Sequence, residues 1–89
     1  MAGNWTTSAS PRNIAIGNYA LDGVFVTAND NLAIGHNALT DLTEGDENVA
    51  IGNNSGANIT SGQYNTMVGV GAGNATLLVG KTVIIQELI

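Results

Sequence analysis

The sequence has no cysteine, one proline, one histidine and four aromatic residues among its 89 residues. Without cysteine it can form neither disulfides nor thiolate metal sites. With so few aromatic residues, a core has to be built from Ile, Leu, Val and Ala. A chain of this size buries only about 60% of the surface that its unfolded form exposes. Association with other chains is therefore the expected source of additional stability.

Basic residues are also scarce. One Arg and one Lys stand against seven Asp and Glu, which gives a formal net charge of −5. This balance opposes attraction to phosphate backbones and to anionic membrane surfaces. The first residues have neither the basic start nor the apolar stretch of a signal peptide. No apolar run approaches the roughly 20 residues of a membrane span. The sequence thus predicts neither nucleic acid nor a membrane as a partner.

What the sequence does contain is a repeat. A five-residue phrase that begins with Asn and ends with Gly occurs four times, at residues 13–17, 31–35, 48–52 and 65–69. The starts lie 18, 17 and 17 residues apart, and another 17 leads to a degenerate fifth copy at residues 82–86. Terminal repeats are expected to be atypical. A unit of 17 residues is too short for the helical repeats, which need about 33 to 47.

Within each repeat, apolar and small residues alternate with the period of two that is typical of a β-strand. Gly and Asn follow, and both tolerate the left-handed backbone of a turn. Strands of successive repeats should stack about 4.8 Å apart. The pattern then predicts columns of equivalent residues that serve as core or interchain contacts. One column is Ile16, Ile34, Ile51 and Val68, and the column on the opposite face is Ala15, Ala33 and Ala50. Coils closed within one chain and coils wound from several chains fit this pattern equally well.

The phrase Asn-x-Ala-Ile-Gly-x-x-Ala-Leu, at residues 13–21 and 31–39, resembles repeats of bacteriophage tail-fibre shafts and of the heads of trimeric bacterial adhesins. The resemblance extends over about residues 13–86. It implies a homotrimeric β-solenoid or an intertwined triple β-helix, with small and apolar positions directed inward and to the threefold axis. It also implies a role in binding surfaces or holding a virion together, as in tailspike-like decoration proteins.

We therefore expect an all-β, homotrimeric fold of about five 17-residue coils. Residues 1–12 should form an extended arm, residues 13–81 the β-solenoid and residues 82–89 a capping strand. Five coils span only roughly 24 Å, which is short for a fibre shaft. The expected function is that of a decoration (cement) protein on a phage capsid, with the major capsid protein as partner. The alternative is a tail-fibre or adhesin segment that binds a cell-surface receptor as an extracellular fibre.

Four sequence features invite a chemical interpretation, and a structural one is favoured for each. His36 lies in a turn and lacks a second His for metal binding or a paired nucleophile. Residues 44–48 could offer oxygens to Ca²⁺, but the equivalent residues of the next repeat lack the charges. The glycines at 69–73 and the Gly-Lys-Thr at 80–82 lack the strand-and-helix context of nucleotide-binding loops. The sequence predicts no enzyme, no cofactor and no metal.

The N-terminal arm is the one segment for which a binding role is predicted. It contains Trp5, Pro11 and Arg12 among polar residues, outside the repeat. An isolated aromatic residue with polar neighbours is typical of an anchor that fills a pocket on a partner. Packing of Trp5 on its own trimer is the equally weighted alternative.

Overall fold

The computed structural model describes residues 12–23, 28–73 and 83–85. These residues form five three-residue strands connected by turns and bends, with no helix in the described ranges. The strands are β1 (Ile14–Ile16), β2 (Leu32–Ile34), β3 (Val49–Ile51), β4 (Thr66–Val68) and β5 (Val83–Ile85). The prediction of an all-β protein is confirmed for this part of the chain.

The five strands form one parallel sheet in the order in which they occur along the chain. Ala15 pairs with Ala33, and Ala33 with Ala50, so equivalent positions of successive repeats are neighbours. The same register holds from β3 to β4 and from β4 to β5. This is the register that the repeat predicts, because any slip by one residue would exchange the two faces of a strand.

Successive repeats are also connected outside the sheet, so each one forms a rung that lies on the next. The N–H of Leu39 donates to the carbonyl of Ser55 at 3.0 Å, and the N–H of Gly56 donates to that of Ala72 at 2.9 Å. On the far side of the rung, the N–H of Thr43 donates to the carbonyl of Thr60 at 2.9 Å. These bonds satisfy backbone groups that a buried turn would otherwise leave unpaired. We number the rungs 1 to 4 from Asn13, Asn31, Asn48 and Asn65.

The position after each of β1, β2 and β3 requires glycine for two reasons, its backbone conformation and the close approach of the next rung. Gly35 has a φ of 132°, in the region that favours glycine. A Cβ at Gly35 would lie 2.6 Å from the carbonyl oxygen of Gly52, which is closer than such atoms can approach. The repeated Gly therefore turns the chain where two rungs are in contact.

The interior is formed by the inward side of the strands and by the residues that follow them. Ala33, Ala50 and Met67 are fully buried on the sheet side, and Leu42 and Ile59 are fully buried in the segments between strands. Small strand residues and larger side chains elsewhere in the rung thus share one narrow core, with Ala15 packed against it. The Ala column therefore lies inside the rungs of a single chain.

Two predicted segments lie largely outside the described residues. Of the arm at residues 1–12, only Arg12 is described, so Trp5 and Pro11 are not. Of the capping strand at residues 82–89, the structure describes β5, which extends the sheet in register beside β4.

Candidate interaction surface

A buried column of asparagines runs along the start of the strands. The side-chain Nδ2 of Asn48 donates to Oδ1 of Asn31 at 3.1 Å and to the carbonyl of Gly62 at 2.9 Å. Its Oδ1 accepts from the backbone N–H of Asn65 and from Nδ2 of Asn65, each at 3.1 Å. Because Asn48 is completely buried, these four bonds replace the water that the amide loses on folding. The repeated Asn is therefore an internal structural element.

The opposite side of the strands forms an outer face that is aliphatic and exposed. Ile14 is 56% exposed, Ile16 58% and Ile85 76%. Ile34 and Ile51 lie between Ile16 and Ile85 in one column and are partly exposed. The outer face consists of Ile14, Ile16, Leu32, Ile34, Val49, Ile51, Thr66, Val68 and Ile85. A continuous apolar surface of this kind marks a site of contact with other molecules.

The structure thus separates the predicted columns, which occupy opposite sides of the sheet. Ala33 and Ala50 are fully buried inside the chain, whereas Ile16 and Val68 remain exposed on the outer face. Hydrophobicity alone would favour placing the larger Ile inside. The Asn column explains why Ala is inside. The Asn lies two residues before the Ala of the first three phrases and before Met67 of the fourth, so it points to the same side of the strand.

Two exposed columns border the outer face. We call the residue just before each strand-initiating Asn the leading corner, and the residue just after each strand-ending Gly the trailing corner. The leading corners are Arg12, Asp30, Glu47 and Tyr64, and the trailing corners are Asn18, His36, Asn53 and Val70. All four leading corners have a positive φ of 57–62°, a left-handed conformation that directs the chain into the next strand at a cost in backbone strain.

Two of the leading corners, Arg12 and Asp30, form an ion pair. Nε of Arg12 donates to Oδ1 of Asp30 at 2.6 Å, and Nη2 donates to Oδ2 at 3.1 Å. The hydrogen bond that Arg12 donates to Asp30 lowers the pKa of the Asp30 carboxyl, and the same bond raises the pKa of the Arg12 guanidinium. Both side chains are exposed. The structure therefore places Arg12, a predicted partner-binding residue of the arm, beside the first rung of its own chain.

His36 lies at an exposed trailing corner, with its ring 5.7 Å from that of Tyr19 in an edge-to-face arrangement. In the segment 44–48, Asp46 accepts a hydrogen bond from the backbone N–H of Asn29 at 2.8 Å. No group of three acidic, His or Cys residues suited to a metal ion occurs within the described ranges. The glycine-rich residues 69–73 form the turn after β4, while residues 80–82 lie outside the described part of the chain.

Residues 12–23, 28–73 and 83–85 enclose no cavity. They also include no helix with the length and hydrophobicity to cross a membrane. The outer face and its two corner columns are thus the features of the described surface that offer most to a partner.

Comparisons with protein-family models, with curated proteins and with solved structures find no match for this chain.

Two features of this surface were not predicted from the sequence. The phrase contains the repeated Asn, and the position of this Asn on the Ala side of the strand is the signal that the Ile columns point outward. The corner columns could have been found by aligning the residues that flank each phrase, since all four leading corners share one repeat position. Their left-handed conformation has no signal in residues such as Arg12, Glu47 and Tyr64, which rarely adopt it.

Proposed function

We propose that this chain is a structural protein, a short β-solenoid that assembles as a homotrimer and decorates the capsid of a bacteriophage. The observation that supports assembly is the exposed aliphatic outer face, because the interior is already filled by residues of one chain. An exposed face of Ile and Val gains free energy by being buried against a like face. Polar positions around the rest of the rung keep the assembled stack in solution.

The virion as the place of action is supported by the repeat phrase, which resembles those of phage fibres and trimeric adhesins. A stack of rungs held by backbone bonds suits a load-bearing or cementing role, since every rung is tied to its neighbours. The major capsid protein is the proposed partner, and Trp5, Pro11 and Arg12 are the proposed contacts of the arm.

The test has two parts. Light scattering at micromolar concentration should give three times the mass of the chain, and a monomer would refute the trimer. Co-sedimentation with capsids that lack the protein should then show decoration, which deletion of residues 1–10 abolishes while the trimer persists. Trp5→Ala should weaken decoration in part. Wild-type occupancy by the truncated protein would refute the arm as the anchor.

The alternative is a tail-fibre or adhesin segment that binds a cell-surface receptor. It is favoured by one observation, that β5 continues the sheet in register beside β4, as the strands of a longer shaft would. Binding of the isolated protein to host cells, with no binding to capsids, would select this alternative.

A further inference from the structure

We infer that copies of this chain meet side by side in register, with the leading corners of one copy against the trailing corners of the next. This inference rests on the proposed homotrimer and specifies which residues form its contacts. The partner is a second copy of the same chain, and the argument is the complementarity of the two corner columns, rung by rung.

The geometry follows from symmetry. In a closed ring of three chains whose axis runs along the stack, each contact is head to tail, and the three outer faces are buried together when each turns toward the axis. Every chain then places its leading corners beside the trailing corners of its neighbour. Equivalent rungs lie at the same height in all copies, so each leading corner meets the trailing corner that borders the same strand.

The two central rows of this alignment join carboxylates to hydrogen-bond donors. Asp30 meets His36, whose ring N–H can donate to a carboxylate, and Glu47 meets Asn53, whose amide can do the same. All four side chains are exposed in the single chain. Asp30 also accepts from Arg12 of its own chain, so this acid would be held from both sides.

The two end rows are matched as well. Tyr64 is 45% exposed and Val70 56% exposed, and they are the aromatic and the aliphatic member of the corner columns. In register they meet each other and extend the apolar outer face at its C-terminal end. The remaining row joins the Arg12 guanidinium to the side-chain oxygen of Asn18.

Shifting the copies by one rung removes this match. In one direction Glu47 would lie against Val70, which buries a carboxylate without a donor. In the other direction Tyr64 would lie against Asn53, so Val70 would lose its apolar partner. The in-register alignment pairs Tyr64 with Val70, and it also gives Arg12, Asp30 and Glu47 a polar partner.

The absence of cysteine from the sequence permits a direct test by engineered disulfides. The variant Tyr64→Cys/Val70→Cys has one new Cys at each of the two corners that flank β4. Within one chain these corners are separated by a strand and its flanking residues, about 20 Å, whereas a disulfide requires Cα atoms within about 7 Å. Mild oxidation should therefore link different chains into a covalent trimer on a non-reducing gel.

Two matched variants test the register. Glu47→Cys/Val70→Cys and Tyr64→Cys/Asn53→Cys carry the same chemistry displaced by one rung, and we expect at least tenfold less trimer from each. Circular dichroism of the reduced proteins checks that all three fold. If light scattering shows a trimer, two results would overturn the alignment and leave the proposed assembly intact. One is a control variant that cross-links as well as Tyr64→Cys/Val70→Cys, and the other is failure of Tyr64→Cys/Val70→Cys to cross-link. A monomer by light scattering would overturn the assembly itself.

Discussion

The two sides of the same sheet differ in what they need from the rest of the protein. On the inner side, Ala33, Ala50 and the Asn column are buried by the chain that carries them. On the outer side, Ile14 and Ile16 are more than half exposed although they are larger and more apolar. On the inner side, side-chain size and hydrogen bonding therefore decide which residues are buried, and hydrophobicity does not. The most hydrophobic side of the sheet remains available for association.

The largest expected effect comes from interrupting the buried Asn column. Asn48→Ala removes a side-chain amide that donates two hydrogen bonds and accepts two. The carbonyl of Gly62 and the side-chain amide of Asn65 each lose their bond to Asn48. Unpaired buried polar groups cost about 1–3 kcal/mol each. We expect the free energy of unfolding to fall by about 4 kcal/mol, measured by denaturant titration.

A partly exposed amide pair of rungs 2 and 3 supplies the control. Nδ2 of Asn37 donates to Oδ1 of Asn54 at 3.1 Å in a partly exposed column. Asn54→Ala loses a bond that water can replace and places Ala at a φ of 61°, so it should cost about 1–2 kcal/mol, mostly from the left-handed backbone, and less than Asn48→Ala. Equal losses of unfolding free energy in Asn48→Ala and Asn54→Ala would contradict a special role for the buried Asn column.

The next effect is overpacking of the inner face. Ala50 is fully buried, so Ala50→Leu must displace its neighbours and should lower the free energy of unfolding by about 1–3 kcal/mol. Ala33→Leu should behave in the same way. On the outer face Val68→Leu also adds volume, but Val68 is 36% exposed, so this change should cost less. Unchanged thermal stability of both Ala variants would count against this packing.

The strands and their register could be predicted from the sequence, because a 17-residue repeat with period-two alternation leaves few ways to stack. The side of the sheet that faces inward could not be predicted from hydrophobicity. Ile16 and Ala15 alternate in either orientation, and only the hydrogen-bonding requirement of Asn31 and Asn48 decides between them. The repeat aligns Arg12 with Asp30, but it gives no sign of the left-handed backbone that both residues adopt at the corner.

A charge on the outer face should affect assembly more than folding. Ile51→Asp places a carboxylate where copies would otherwise bury aliphatic groups, and an unpaired buried charge is strongly unfavourable. We expect a folded monomer by light scattering and circular dichroism. Thr60→Asp adds the same charge at an exposed position outside the strands and should leave the mass of the assembly unchanged. Persistence of the trimer in Ile51→Asp would remove the outer face from the interface.

The smallest effect concerns the ion pair at the leading corner. The hydrogen bond from Arg12 holds the pKa of Asp30 below its ordinary value, so the ionised carboxylate is the form that the folded state favours. Its contribution to stability is complete above the pKa of the unfolded chain and is lost as the pH falls through the lower pKa of the folded chain. Asp30→Asn should therefore be slightly less stable than the parent at neutral pH, and the difference should vanish in acid. Because both side chains are exposed, the difference should also shrink in high salt. Asp41→Asn, at another exposed carboxylate, provides the control in thermal melts from pH 2 to 7. A loss in Asp30→Asn that stays the same from neutral pH into acid would show that the side chain acts through packing and not through its charge.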